Sequence, residues 1–159
     1  MASQIVELYN ALALTSITVN GVAVRVKRLD ELPNALDTAG LPCRLLTPIS
    51  PFLGNNLQSG IWTVATYSGV NEVRWNVADI AYFKPVAQDI GIRAVADDLV
   101  IYMREYQAMI SAFTMSSAGG STMWVQNLAM SAGVFEYPLL SGRFFYGVAA
   151  TLTVVEKIS

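Results

Sequence analysis

The sequence predicts a single α+β domain over residues 1–159, with a mixed or antiparallel sheet of about five to six strands. The sheet is expected to pack against an N-terminal helix and one long central helix. Three observations lead there. A chain of 159 residues, 53% of them hydrophobic, can build one core without metal or disulfide support. Several segments alternate apolar and polar residues with the period of a strand. Only two segments carry the 3.6-residue period of an amphipathic helix, and they are not interleaved between every pair of strands as a doubly wound fold requires.

The first helix is expected from Ser3 to about Ala13. The Ser3 hydroxyl can cap an unpaired amide of the first turn, and Ile5, Leu8, Tyr9 and Leu12 share one face. Asn20-Gly21 signals a turn, after which Val22, Val24 and Val26 alternate with Ala23, Arg25 and Lys27 as a half-buried strand. Pro33 disfavours further regular pairing, and residues 34–42 read as an irregular crossing. Cys43 to Thr47 is short, apolar and bounded by Pro42 and Pro48, which suits a central strand. Residues 48–60 form a loop rich in Pro, Gly and Asn. Strands follow at Ile61 to Tyr67 and from Val73 to about Phe83, the latter with an irregularity near Asp79.

The strongest element is a helix from about Gly91 to Phe113. Ile92, Val95, Ala96, Leu99, Met103, Tyr106, Ile110 and Phe113 lie on one stripe, with Arg93, Asp97, Arg104 and Glu105 opposite. Ile101 falls on the polar side. Met115 to Thr122 reads as a loop and Met123 to Met130 as a strand. In the last strand, Arg143 to about Glu156, Val148, Ala150, Leu152 and Val154 share one face against Thr151 and Thr153.

Composition narrows the function. Charged residues make up only 14% of the chain, against roughly 25% in an ordinary soluble domain. A folded surface on the order of 7,800 Å² would carry one charge per roughly 350 Å². Either the chain sits in a membrane or other subunits cover its surface. The charge-free stretch from Tyr106 to Phe135 is broken by serines, Gly119, Gly120, Gln126 and Asn127. The stretch from Leu45 to Asn71 contains Pro48, Pro51 and Gly54. Neither supplies the ~20 apolar residues of a spanning helix, and residues 1–8 lack the positive start of a signal peptide. The expectation is a soluble subunit, with no membrane partner and its apolar surface covered by neighbours.

No histidine is present, which removes Ser-His-Asp and Cys-His arrangements and the usual zinc sites. Cys43 is the single cysteine and reads as a small buried apolar group. Asp97 and Asp98 point about 100° apart on a helix and cannot share a proton. Gly119-Gly120-Ser121-Thr122 lacks the lysine of a phosphate-binding loop. Lys27, Lys84 and Lys157 leave a Ser-Lys dyad open, with no spacing in its favour. The expectation is no catalytic residue, no cofactor and no metal. A net charge of −2, and one basic cluster at Arg25, Lys27 and Arg28 beside Asp30 and Glu31, predict only weak, non-specific affinity for DNA. The candidate interface residues are Phe52, Leu53 and Leu57 in the loop, Ile101 on the long helix, and Met115 at the start of the second loop.

Three segments together resemble the tail-terminator (tail-completion, neck) proteins of long-tailed bacteriophages. They are the short N-terminal helix, the run from Val24 to Pro33 leading to Leu41-Pro42 and a short apolar strand, and the terminal strand from Phe145 to Glu156. The match spans most of the chain in element order. It implies a virion protein of the tail or neck, assembled in the host cytoplasm as a homohexameric ring. Such a ring caps the tail-tube protein, ends its polymerisation and joins it to a head-tail connector or stopper protein. DNA crosses the lumen unread. Two alternatives stay open: another ring of the same assembly, either a head-completion stopper or a tube subunit, and a small carboxylate-based enzyme or ligand-binding subunit.

Overall fold

The computed structural model describes residues 4–27, 40–47, 63–67, 70–86, 91–116, 120–137 and 142–158. Helix α1 (Gln4–Ala13) is followed by strands β1 (Ile17–Val19), β2 (Val22–Lys27), β3 (Cys43–Thr47), β4 (Thr63–Tyr67) and β5 (Val70–Pro85). Helix α2 (Ala96–Ser111) then precedes β6 (Thr114–Ser116), β7 (Thr122–Glu136) and β8 (Phe144–Ile158). Asn20 and Gly21 adopt φ values of 49° and 82° between β1 and β2. Two successive positive φ values make the two-residue turn whose twist matches a hairpin, and an Asn-Gly pair tolerates them best.

Seven strands run in the order β1-β2-β3-β5-β8-β7-β6, and β4 adds to β5 as an eighth. The β2–β3 pair is parallel and the other pairs are antiparallel, so the sheet is mixed. The expected five to six strands fall short of these eight. The additional strands, β1 and β6, have 3 residues each, too short to show a period. Three strands dominate: β5 with 16 residues, and β7 and β8 with 15 each. The irregularity in β5 lies between Tyr82 and Lys84, not near Asp79. Opposite it stands Gly147, where an added Cβ would collide with the Ala81 carbonyl oxygen.

α2 has 16 residues and is shorter than the expected helix. A 3₁₀ turn at Ile92–Ala94 replaces its first turn, and Ile92 is exposed. Residue spacing located the apolar stripe but not the helix ends, which depend on hydrogen bonds rather than on period. Asp97 and Asp98 occupy the first turn, where negative charge suits the helix dipole. The Asn20 side-chain amide donates to Asp98 at 2.7 Å and ties the β1–β2 turn to α2.

Both helices cover one face of the sheet. Leu8 and Leu12 of α1 and Leu99, Tyr102, Tyr106 and Ile110 of α2 meet Val77 and Ala81 of β5 and Val148, Ala150, Leu152 and Val154 of β8. Full burial of each leucine stabilises the fold by about 1.5–3 kcal/mol. A second cluster on the opposite face contains Cys43, Leu45, Ile80, Tyr82, Tyr137, Phe145 and Ala149. Tyr82 stands edge-on to Phe145 and Tyr137, with ring centroids 5.6 and 6.0 Å apart. Its hydroxyl donates to the Glu136 carbonyl at 3.1 Å. Among the described residues, no helix is long and apolar enough to cross a membrane.

The close approach at Gly147 predicts that Gly147→Ala forces β8 away from β5. Thermal unfolding should show a loss of about 1–3 kcal/mol, the cost of overpacking a filled site. A variant as stable as the wild type would mean that the strands can separate there without penalty.

Candidate functional site

Two buried polar clusters hold the sheet to its surroundings. In the first, Arg44 of β3 and Asp79 of β5 are both shut off from solvent, with a guanidinium nitrogen 2.5 Å from the carboxylate. Arg44 Nε also donates to the carboxylate at 3.2 Å, and Nη1 donates to the Thr15 carbonyl at 3.2 Å. The Tyr106 hydroxyl donates to Asp79 at 2.8 Å, and the guanidinium carbon lies 5.4 Å from the Tyr106 ring centroid. Burial alone would lower the arginine pKa, but the Asp79 charge and its hydrogen bonds outweigh that and raise it above the ordinary value. The second cluster centres on Glu156 of β8. Trp75 Nε1 donates to it at 2.9 Å, and the Ser121 hydroxyl donates to its other oxygen.

These side chains are committed to one another. Two surface grooves of about 460 and 530 Å³ are lined by other residues. Among the described residues, no group of three or more His, Cys, Asp or Glu could hold a metal ion. The sequence reading overlooked both clusters. One signal was available: Arg44 is the single charged residue in an otherwise apolar strand, and Asp79 interrupts an apolar run. An ionised group in such a position needs a partner from a neighbouring strand.

The candidate interface residues separate. Phe52, Leu53 and Leu57 lie outside the described residues. Ile101 was expected on the polar side of the helix, but it is half-buried and packs against the main core. Tyr102 is fully buried beside it, so the buried arc of α2 is wider than the predicted stripe. Met115 was expected in a loop. It lies in β6, paired to Met123 of β7, and also packs against the core.

The other positions singled out in the sequence have ordinary roles. Ser121 is buried and its hydroxyl donates to Glu156, so it is not turned toward a bound phosphate. Lys157 stands 5.4 Å from the Trp124 ring centroid. Arg25 is exposed on β2, where it pairs with Cys43 of β3 just past the end of the β1 pairing at Val24.

The register of the long strands assembles a patch that the sequence did not suggest. Val86 of the β5 end donates its amide to the Phe144 carbonyl at 2.9 Å. Phe144 pairs with Glu136, and Val134 lies two residues along the same side of β7. Val86, Phe144 and Val134 are exposed by 41%, 46% and 50%, which places three apolar side chains, with the exposed Glu136 among them, at one end of three adjacent strands.

The ion pair predicts a sharp asymmetry in stability. Asp79→Ala leaves a buried cation unpaired and should cost about 3–5 kcal/mol in denaturant unfolding. Arg44→Met combined with Asp79→Leu should recover most of that loss. Equal losses from the single and double variants would show that packing, rather than charge, decides the site.

Alkali should also unfold the protein cooperatively. Burial raises the phenols of Tyr82, Tyr102 and Tyr106, and pushes the Cys43 thiol up to about 11. These groups stay protonated when folded and ionise more easily when unfolded. Their stabilisation is complete below the ordinary thiol and phenol values, about 8.5 and about 10, and is lost as pH rises through the folded values. Tyrosinate absorbance from the buried rings should therefore appear together with loss of circular dichroism. A gradual titration near pH 10 with the dichroism retained would contradict this.

No protein-family model matches the chain, and no curated protein matches it.

Proposed function

We propose that the chain is a structural ring subunit of a phage tail, which caps the tail tube, ends its growth and joins it to the head-side connector. The observation that supports this most directly is the apolar patch of Val86, Val134 and Phe144 on a chain with only 14% charged residues. A soluble subunit with so few charges gains from covering such a surface with its neighbours. The order of elements adds the resemblance to tail terminators, from which a hexameric ring follows. A net charge of −2 is compatible with a lumen that lets DNA pass, since a basic lumen would retain phosphates.

The reading has three partners: other copies of the chain in the ring, the tail-tube protein on one ring face, and a connector or stopper protein on the other. It places the protein in the virion neck. A head-to-tail contact between identical subunits gives either a closed ring or an open helix, and a terminator needs closure. In the expected outcome, native mass spectrometry finds a closed ring, and negative-stain imaging shows it on tube ends that no longer grow. Replacing Phe52, Leu53 and Leu57 together with Ser should weaken assembly while the subunit remains folded. A stable monomer that ignores tube ends at high concentration would remove the reading. Long tubes formed by this protein alone would make it a tube subunit instead.

A further inference from the structure

β7 is paired to β8 along its length, but its outer side is paired to β6 only from Thr122 to Trp124. Gln126 is the extra residue of a bulge, and from Asn127 to Phe135 no described strand pairs with the outer side. An antiparallel edge directs about half of its amides and carbonyls outward. Natural edges of this length are usually blunted by lysine, proline or a covering element. The segment Asn127 to Phe135 contains no charged residue and no proline. On the helix-facing side, a groove of about 460 Å³ lies between α2 and β7. Its apolar wall comprises Met103, Ile110, Phe113, Val125, Leu128 and Met130. A strand added to the β7 edge would bring every second side chain to this groove.

The opposite side of the same sheet offers a second open edge. β4 pairs with β5 from Thr63↔Arg74 to Tyr67↔Val70, and no described strand pairs with its outer side. Its sequence, Thr-Val-Ala-Thr-Tyr, also carries no charge and no proline. Among the described residues, the order β4-β5-β8-β7 thus ends on both sides in a strand segment with no outer partner and no charged residue. Because the two edges belong to different strands, joining them repeats head to tail. Pairing β7 with itself would instead close a two-fold dimer.

We infer that the outer edge of β7 takes up strand β4 of a second copy of this chain, so that the sheet continues from subunit to subunit and the α2–β7 groove receives side chains of the added strand. This rests on the proposed function in taking the partner to be another copy, as a ring requires.

Hydrogen exchange of the full-length protein, compared between dilute monomer and assembled protein, tests the pairing. The outward amides of residues 127–135 and of β4 should slow by at least about tenfold on assembly. Two proline variants separate pairing from folding. Adjacent residues alternate in the direction of their amides, so one of Ser131→Pro and Ala132→Pro removes an outward donor and the other removes a donor to β8. The first should keep the monomer's circular dichroism and lose assembly, whereas the second should lose the fold.

If the folded proline variant assembles like the wild type, the inference is overturned. A dimer with protected β7 amides and unprotected β4 amides also overturns it, in favour of β7 pairing with itself. Rings with both edges unprotected overturn edge pairing and leave the ring reading standing. Both edges protected in an assembly that ignores tube ends supports edge pairing and removes the terminator reading.

Discussion

Arg44 and Asp79 join β3 to β5 beneath α2, and both helices of the fold are tied to that pair. The Arg44 side chain reaches the Thr15 carbonyl just beyond α1, and Asp79 receives the Tyr106 hydroxyl from α2. One guanidinium and one carboxylate therefore set where both helices sit on the sheet. A buried pair of this kind adds little net stability over apolar packing, because desolvation offsets most of the attraction. Its effect is on alternatives. A slip of one residue between β3 and β5 would turn Arg44 to the opposite face and leave Asp79 unpaired in the core. The observed register, with Leu45 opposite Ile80 and Leu46 opposite Asp79, is the one that keeps the charges together on the helix-covered face.

Much of this architecture was legible in the sequence wherever apolar residues repeat over many positions. The shared face of Val148, Ala150, Leu152 and Val154 was readable because a long strand repeats its pattern. Leu8 and Leu12 were readable at helical spacing. β1 and β6 were not, because three residues carry no period. The bulge in β5 was misplaced for a related reason. Asp79 disturbs the apolar pattern chemically but not geometrically, whereas the real irregularity follows Tyr82, where the pattern is undisturbed.

The site was less legible than the fold. Helical spacing put Ile101 on the polar side of α2, but the buried side is wide enough to include Tyr102, and Ile101 packs against the core. The patch of Val86, Val134 and Phe144 depends on register between segments far apart in the chain. No local pattern could bring them together. The Arg44–Asp79 pair is similar, since each charge alone reads as an interruption and only their pairing across β3 and β5 explains both.

The low charge content has a different meaning once the strands are placed. Averaged over a surface, it says only that the chain is short of solvating groups. In the structure, the shortage falls on β7, whose outer side has no partner among the described strands from Asn127 to Phe135. A monomer selected to remain alone would gain from a lysine or a proline at these positions, at little cost to its own core, because an edge residue can be changed without disturbing the buried face. Neither residue is present from Asn127 to Phe135. The protections absent from β7 are those that would also block a neighbouring strand from pairing. An edge left open over this length suits a chain whose working form is an assembly, since the neighbour that satisfies the backbone also covers the apolar surface beside it.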